Sequence, residues 1–323
     1  MNAKTNLALT LAFGALTPLA PAAQGACIPS PGTRCERGDS AGLATRAPAG
    51  KPWGIHVSFS NVLDSNIERD RDEMAAYGLV SAIGGRLRSS APGPALELEY
   101  EVAAHSYMRT DKWDRVSHAA RGRYSRRVAG DWTLETTAEA SLKGSSEDRE
   151  LANRYGLEQA VEYRLLRVTR LGLEVAYRMK QHPDNDERNG VNQYVLAAIE
   201  QRFEGDRELE LSSRYERNRA TNDRYDYRRF THEAVLSTPI GKRDALELGL
   251  KYRTRRYDHR LVEVGDEEVL RQEYRWAPSL QWERALAGSV YLEAAYEFET
   301  RSSNDPDKSY DAHQFAITFT RRW

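Results

Sequence analysis

After its first residues the chain has no run approaching the roughly 18 consecutive apolar residues of a membrane-crossing helix. It is nearly without cysteine, with two in 323 residues, Cys27 and Cys35, and it has no excess of either charge, the formal net charge being -1. Each shortage excludes something. Without a long apolar run there is no bundle of membrane helices. Two thiols with no imidazole beside them do not make a metal site, and the seven histidines are scattered without ligand spacing. A balanced charge leaves no basic surplus for phosphates, so no nucleic-acid partner is expected. No glycine-bearing nucleophile turn is present, so neither an enzyme nor a cofactor is expected.

What is present is polar: 29% of residues are charged and the mean hydropathy is -0.71. That would describe a soluble protein, but a membrane barrel gives the same averages. Its strands need only about 9–11 residues each, with half the side chains facing a polar interior. The N-terminus reads as an export signal over residues 1–26. Lys4 gives a basic start, Leu7 to Leu19 an apolar stretch, and Ala22, Ala23, Gly25 and Ala26 small residues for cleavage. Export implies an oxidising compartment, where a Cys27–Cys35 disulfide can close a small loop. Residues 27–52, rich in Pro, Gly, Ala and Ser, read as a periplasmic lead-in or a small plug inside a barrel.

From Trp53 to Trp323 the chain repeats one pattern. Tight turns are expected at Ser89–Pro94, Ala129–Asp131, Arg167–Arg170, Glu204–Asp206, Ile240–Asp244 and Ala285–Gly288. Longer polar stretches lie between and outside them, at Asp64–Glu73, Thr110–Arg115, Lys143–Arg154, Gln181–Asn192, Asn218–Asp226, Asp258–Val269 and Arg301–Ser309. Short turns at one rim and long loops at the other imply an all-β, antiparallel, up-and-down transmembrane barrel of about fourteen strands. Two-residue alternation supports it: Leu171, Leu173, Val175, Tyr177 and Met179 against Glu174 and Arg178, or Leu246, Leu248, Leu250 and Tyr252 against Glu247, Lys251 and Arg253. The segment Val191–Phe203 is ambiguous in phase. Tyr and Trp recur near strand ends, as in the girdles at lipid interfaces.

The last strand sets Phe315, Ile317, Phe319 and Trp323 on one parity and stops at the aromatic Trp323. This ending resembles the C-terminal signal of bacterial outer-membrane barrels, which implies that Phe319 and Trp323 are read by the barrel-assembly machinery. Asp64-Ser65-Asn66-Ile67 after the first strand and Ser309-Tyr310-Asp311 before the last look like barrels of the surface-lipoprotein assembly modifier type. That likeness implies a role in lipoprotein export. His56-x-Ser58 resembles the His-x-Ser of outer-membrane phospholipase, yet its parity points it away from lipid.

If the polar faces point inward, Glu97, Glu99 and Glu101 face Arg121 and Arg123. Farther along, Lys251, Arg253, Arg255 and Arg275 oppose Glu293, Glu297 and Glu299, and Glu247 lines the same inner face. Two readings of these lumen-lining residues stay open: a selectivity surface, or salt bridges that hold a wide barrel in register. The leading expectation is a monomeric outer-membrane channel for small polar or charged solutes, embedded in outer-membrane lipid and lipopolysaccharide. The alternative is a non-conducting barrel serving export or assembly of a surface protein or polysaccharide. An open lumen favours the first, and a lumen filled by a plug or inturned loops favours the second.

Overall fold

The computed structural model describes residues 52–69, 74–89, 94–108, 114–145, 151–287 and 289–323. The expected signal peptide and lead-in, with Cys27 and Cys35, lie outside these residues apart from Pro52, as do Asp70–Glu73 of the first loop. The strands are β1 (Trp53–Asp64), β2 (Ala76–Arg88), β3 (Ala95–Met108), β4 (Arg115–Ala129), β5 (Trp132–Ser145), β6 (Leu151–Leu166) and β7 (Thr169–Gln181). They continue with β8 (Gly190–Phe203), β9 (Arg207–Ala220), β10 (Tyr227–Ile240), β11 (Asp244–Val264), β12 (Glu267–Ala285), β13 (Val290–Ser303) and β14 (Tyr310–Arg322). Each pairs antiparallel with its chain neighbours, and β1 pairs with β14, so the sheet is a closed barrel without edges. The even count returns both ends of the barrel to one rim, which in bacterial barrels is periplasmic.

The alternation sorts side chains as a membrane barrel requires. On β7, Leu173 is 52% exposed and Val175 44%, while Glu174 is 1% exposed and Arg178 7%. On β11, Leu248 and Leu250 point out while Lys251, Arg253 and Arg255 are buried inside. The inner wall is not uniformly polar. Around the closing seam Val62, Val80, Ala82, Ala103 and Ala316 form a buried apolar cluster. β8 also sends Tyr194 and Leu196 inward and leaves Gln193 outside, which accounts for its ambiguous phase.

One expected loop is not a loop. Asp258–Val269 is almost wholly strand: β11 and β12 run on to Val264 and from Glu267, joined at Gly265–Asp266, where φ of +66° at Gly265 suits glycine. Most of the barrel wall ends well below this tip. β10 pairs with β11 only as far as Tyr257, and β13 pairs with β12 only as far as Glu273. The two strands therefore project as a ribbon beyond the outer rim. Above the membrane both faces meet water, so charged residues replace apolar alternation. Three further outer connections among the described residues carry 3₁₀ turns, at Asp186–Arg188, Asp223–Tyr225 and Pro306–Lys308.

The C-terminus closes the seam. Trp323 N–H donates to Ile55 O at 2.9 Å, and Ile55 N–H donates back to Trp323 O at 3.4 Å. Above this rung Phe59 faces Phe319 on the lipid side, and Ser60 Oγ lies 2.5 Å from Thr318 Oγ1 on the inner side. Deleting Trp323 removes the lowest rung of closure and the terminal aromatic together. Unfolded protein in the periplasm is the expected result, read by the loss of the heat-modifiable band from outer-membrane fractions. A wild-type level of folded barrel would refute the role of this terminus.

Candidate functional site

The chemistry is concentrated inside the barrel. Where charges face one another in a low-dielectric wall, each needs a partner, and the structure supplies partners over distances longer than one strand spacing. Arg178 on β7 reaches across β6, with Nε 2.9 Å from Glu139 on β5, and also pairs with Glu158. β6 permits this at Gly156, where an added Cβ would lie 2.9 Å from Glu139 and 3.2 Å from Arg178. His56 on β1 crosses β2 in the same way to hydrogen-bond Glu101 on β3 at 2.9 Å, over Gly84. A longer chord joins Lys180 on β7 to the Tyr227 hydroxyl on β10 at 3.4 Å.

The residues singled out by sequence take distinct places. Glu97 sits 3.5 Å from Arg86 and 3.4 Å from Arg88, while Glu99 faces Arg121 in register. Arg121 and Arg123 also reach the next strand, at 3.5 Å from Glu139 and 3.1 Å from Glu135. In the other half, Arg253 stands directly opposite Arg275, and Arg275 pairs with Glu299. Glu293 stands opposite Glu283, Glu297 opposite Ser279, and Glu247 is half-buried opposite Gln281. Glu273 collects three guanidiniums, Arg255 at 3.5 Å, Arg271 at 2.5 Å, and Arg301. The gap left among Arg253, Arg255, Glu273, Arg275 and Arg301 is about 10 Å³, space for about one water.

Several central groups did not stand out in the sequence. Glu158, Glu174, Arg178 and Tyr194 form one buried cluster, in which the Tyr194 hydroxyl donates to Glu174 and to Glu158 at 3.1 Å. Glu174 and Arg178 were legible as the polar parity of β7. Tyr194 was not, since an aromatic on a strand of uncertain phase reads as lipid-facing.

Residues of the first loop are buried against the barrel. Asn66 is 0% exposed, Ile67 1% and Asp64 2%. Asp64 accepts hydrogen bonds from the Asn66 N–H at 3.0 Å and from Arg69 at 2.8 Å, so its carboxylate is engaged within the loop. Arg69 also lies 3.9 Å from Glu299, which accepts from the Tyr310 hydroxyl. Ile67 and Ala76 form a buried apolar cluster against which Met74, Tyr107 and Leu151 pack, which ties the first hairpin to β3 and β6. Ser65 closes against β14: its N–H donates to His313 O at 2.9 Å and its Oγ accepts from the His313 N–H at 2.8 Å. The Asp64–Ile67 and Ser309–Asp311 segments, 245 residues apart in sequence at Asn66 and Asp311, are therefore neighbours, with Asn66 Nδ2 donating to Asp311 O at 3.4 Å. No group of residues suited to a metal ion occurs among the described residues.

One outer-loop histidine is perturbed. Burial, reinforced by Arg188, Lys180 and Arg154, lowers the His182 imidazole from 6.5 to about 4. The unfolded chain therefore binds the proton more readily than the folded loop. The stability of this loop is full above pH 6.5 and falls as pH drops towards about 4. The protection factors of the amides in residues 182–189, which divide out the intrinsic pH dependence of exchange, are expected to fall over that interval, and His182→Gln to abolish the fall. A fall unchanged in the variant would assign it to another group.

Comparison with known proteins fits this geometry. The family model described as surface lipoprotein assembly modifier matches residues 87–323. The chain belongs to that family. No curated protein sequence matches it. Among solved structures it is similar to OmpT, an outer membrane protein of Vibrio cholerae, at 10% identity and TM-score 0.51, covering 85% of this chain and 98% of the other. It is also similar to an anion-selective porin from Comamonas acidovorans, at 10% identity and TM-score 0.50, covering 84% and 98%. A bacterial polysaccharide outer membrane secretin matches at 11% identity and TM-score 0.51, again covering 84% and 98%. At such identities these likenesses establish the barrel fold alone. Fold and family together make this assembly-modifier barrel a bacterial outer-membrane protein.

Proposed function

We propose that this barrel assists the assembly of lipoproteins at the cell surface and that its lumen is closed at rest. The observation that carries the reading is the inturned first loop. Asp64, Asn66, Ile67 and Arg69 are buried, and the segment is held by Glu299 and by β14 at the seam. Membership of the assembly-modifier family supports the same role. The work then falls to the outer surface and rim, and the projecting β11–β12 ribbon carries exposed Leu261 and Val264 there. No step in this role breaks a covalent bond, and the barrel acts without enzymatic chemistry.

A second reading, a channel for small polar or charged solutes, draws on the charge rows of β11 to β13 and on the barrel shape shared with a solved porin. The two differ in what a cell loses without the protein. Under the assembly reading, deleting the gene should reduce the share of lipoproteins released by protease shaving of intact cells and leave their total amount unchanged. Replacing residues 259–270 by a short turn should do the same while the barrel still folds. Unchanged lipoprotein exposure, with slower uptake of small charged solutes, would favour the channel.

A further inference from the structure

We infer that the outer face of β9, β10 and β11 binds the phosphates of an acylated, phosphorylated glycolipid in the outer leaflet. This inference rests on the outer-membrane location and not on the assembly role. Strand register is the first observation. Arg217 on β9 lies opposite Arg228 on β10, which lies opposite Arg256 on β11. All three point out of the barrel and are exposed, and Arg219 adds a fourth on the same face of β9. Among the described residues Asp258 answers them, its Oδ1 accepting from Arg228 Nε at 2.8 Å. Three cations directly abreast repel one another, which is unfavourable in an isolated sheet. A dianionic ligand reverses the sign of that term.

The layers beneath the row fix its depth. Two residues towards the periplasm, the same strands present Tyr215, Phe230 and Thr254, with Tyr274 next to them on β12. Tyr215 and Phe230 are in ring contact at 4.9 Å. The next row holds His232, Tyr252 and Trp276, with the Tyr252 and Trp276 centroids 4.4 Å apart. Below these come Leu211, Ala234 and Leu250. Aliphatic, aromatic and cationic rows in that order match hydrocarbon, interface and headgroup phosphate. The row sits on the rim bearing the projecting ribbon, and so at the outer leaflet.

A receptacle adjoins it. Between the ribbon and the β13–β14 connection lies a hollow of about 520 Å³, lined by Arg256, Leu270, Gln272, Tyr274, Ser303 and Asn304. One cation, amide and hydroxyl groups, and an apolar floor suit a phosphorylated sugar with an acyl chain beneath it. Guanidiniums bind phosphate oxygens with paired N–H donors, which makes arginine the fitting residue for this contact.

The test uses the folded full barrel in detergent and a diphosphorylated lipid A as probe, with binding read by native mass spectrometry. The account predicts saturable binding of lipid A and binding at least ten-fold weaker of the same lipid without its phosphates. R217Q/R228Q/R256Q should weaken lipid A binding about 100-fold, taking about five-fold for each cation at a membrane surface. Equal binding of the two lipids would overturn the inference, and that comparison needs no variant. Binding by the folded triple variant equal to wild type would overturn it too. Inorganic phosphate displacing the lipid at equal concentration would overturn the glycolipid assignment and leave a simple anion site.

Discussion

Replacing Arg178 by alanine is expected to destabilise the barrel by about 3–5 kcal/mol, the range for removing one partner from a buried ion pair. Arg178 is 7% exposed and its guanidinium serves Glu139 and Glu158, and it also lies 4.9 Å from the Tyr194 ring centre. Glu158 is 0% exposed and Glu174 1%, so without Arg178 their carboxylates lose a shared counter-charge in a site water barely reaches. Urea titration of the barrel refolded in lipid vesicles measures the loss. Adding Glu158→Gln to Arg178→Ala should recover part of it, because the second change removes the stranded charge. A loss under about 1 kcal/mol would mean that the cluster is hydrated and that the lumen is not sealed there.

A charge placed on the other face should be nearly as costly. Leu250 is 45% exposed on the lipid side, two residues on the lipid-core side of the aromatic Tyr252. Leu250→Arg is expected to cost about 2–4 kcal/mol, the range for a cation near the bilayer midplane. Glu247 belongs to the inner parity of the same strand and is half-buried. Glu247→Arg should cost less than half as much, because the inner wall retains polar neighbours such as Gln281 and Ser237 across the register. Equal costs in the same vesicle titration would contradict the assignment of faces on β11.

Why some features were legible in the sequence and others were not follows from the scale of each interaction. A face is a local property. Leu171 to Met179 on β7 and Phe315 to Trp323 declare a two-residue period, and tight turns such as Gly130–Asp131 mark where strands reverse. Where local pattern and environment diverge, reading fails. Val62 and Val80 point inward because the seam packs small apolar residues against Ala103 and Ala316. The β11–β12 ribbon was hidden because a strand in water carries charges such as Asp258, Arg260 and Glu268 in place of alternating apolar residues. Charge pairing was the least legible layer. The alternation on β7 puts Arg178 on the polar parity, but its chord over Gly156 to Glu139 depends on which strands become neighbours and on a missing Cβ. The same holds for the first loop. Its Asp-Ser-Asn-Ile sequence opens one of the long polar stretches, and only closure of β1 on β14 brings it against Asp311 and His313.

The central claim is a lumen closed at rest by paired charge and by the inturned Asp64–Arg69 loop, and single-channel recording in planar bilayers tests it most directly. The account predicts no steady conductance for the wild-type barrel. Openings should appear when the latch is cut by Arg69→Ala together with Glu299→Gln, since these remove the loop's ties to Asp64 and β13. A steady, ohmic conductance in the wild-type protein, unchanged by those substitutions, would contradict it and establish an open channel.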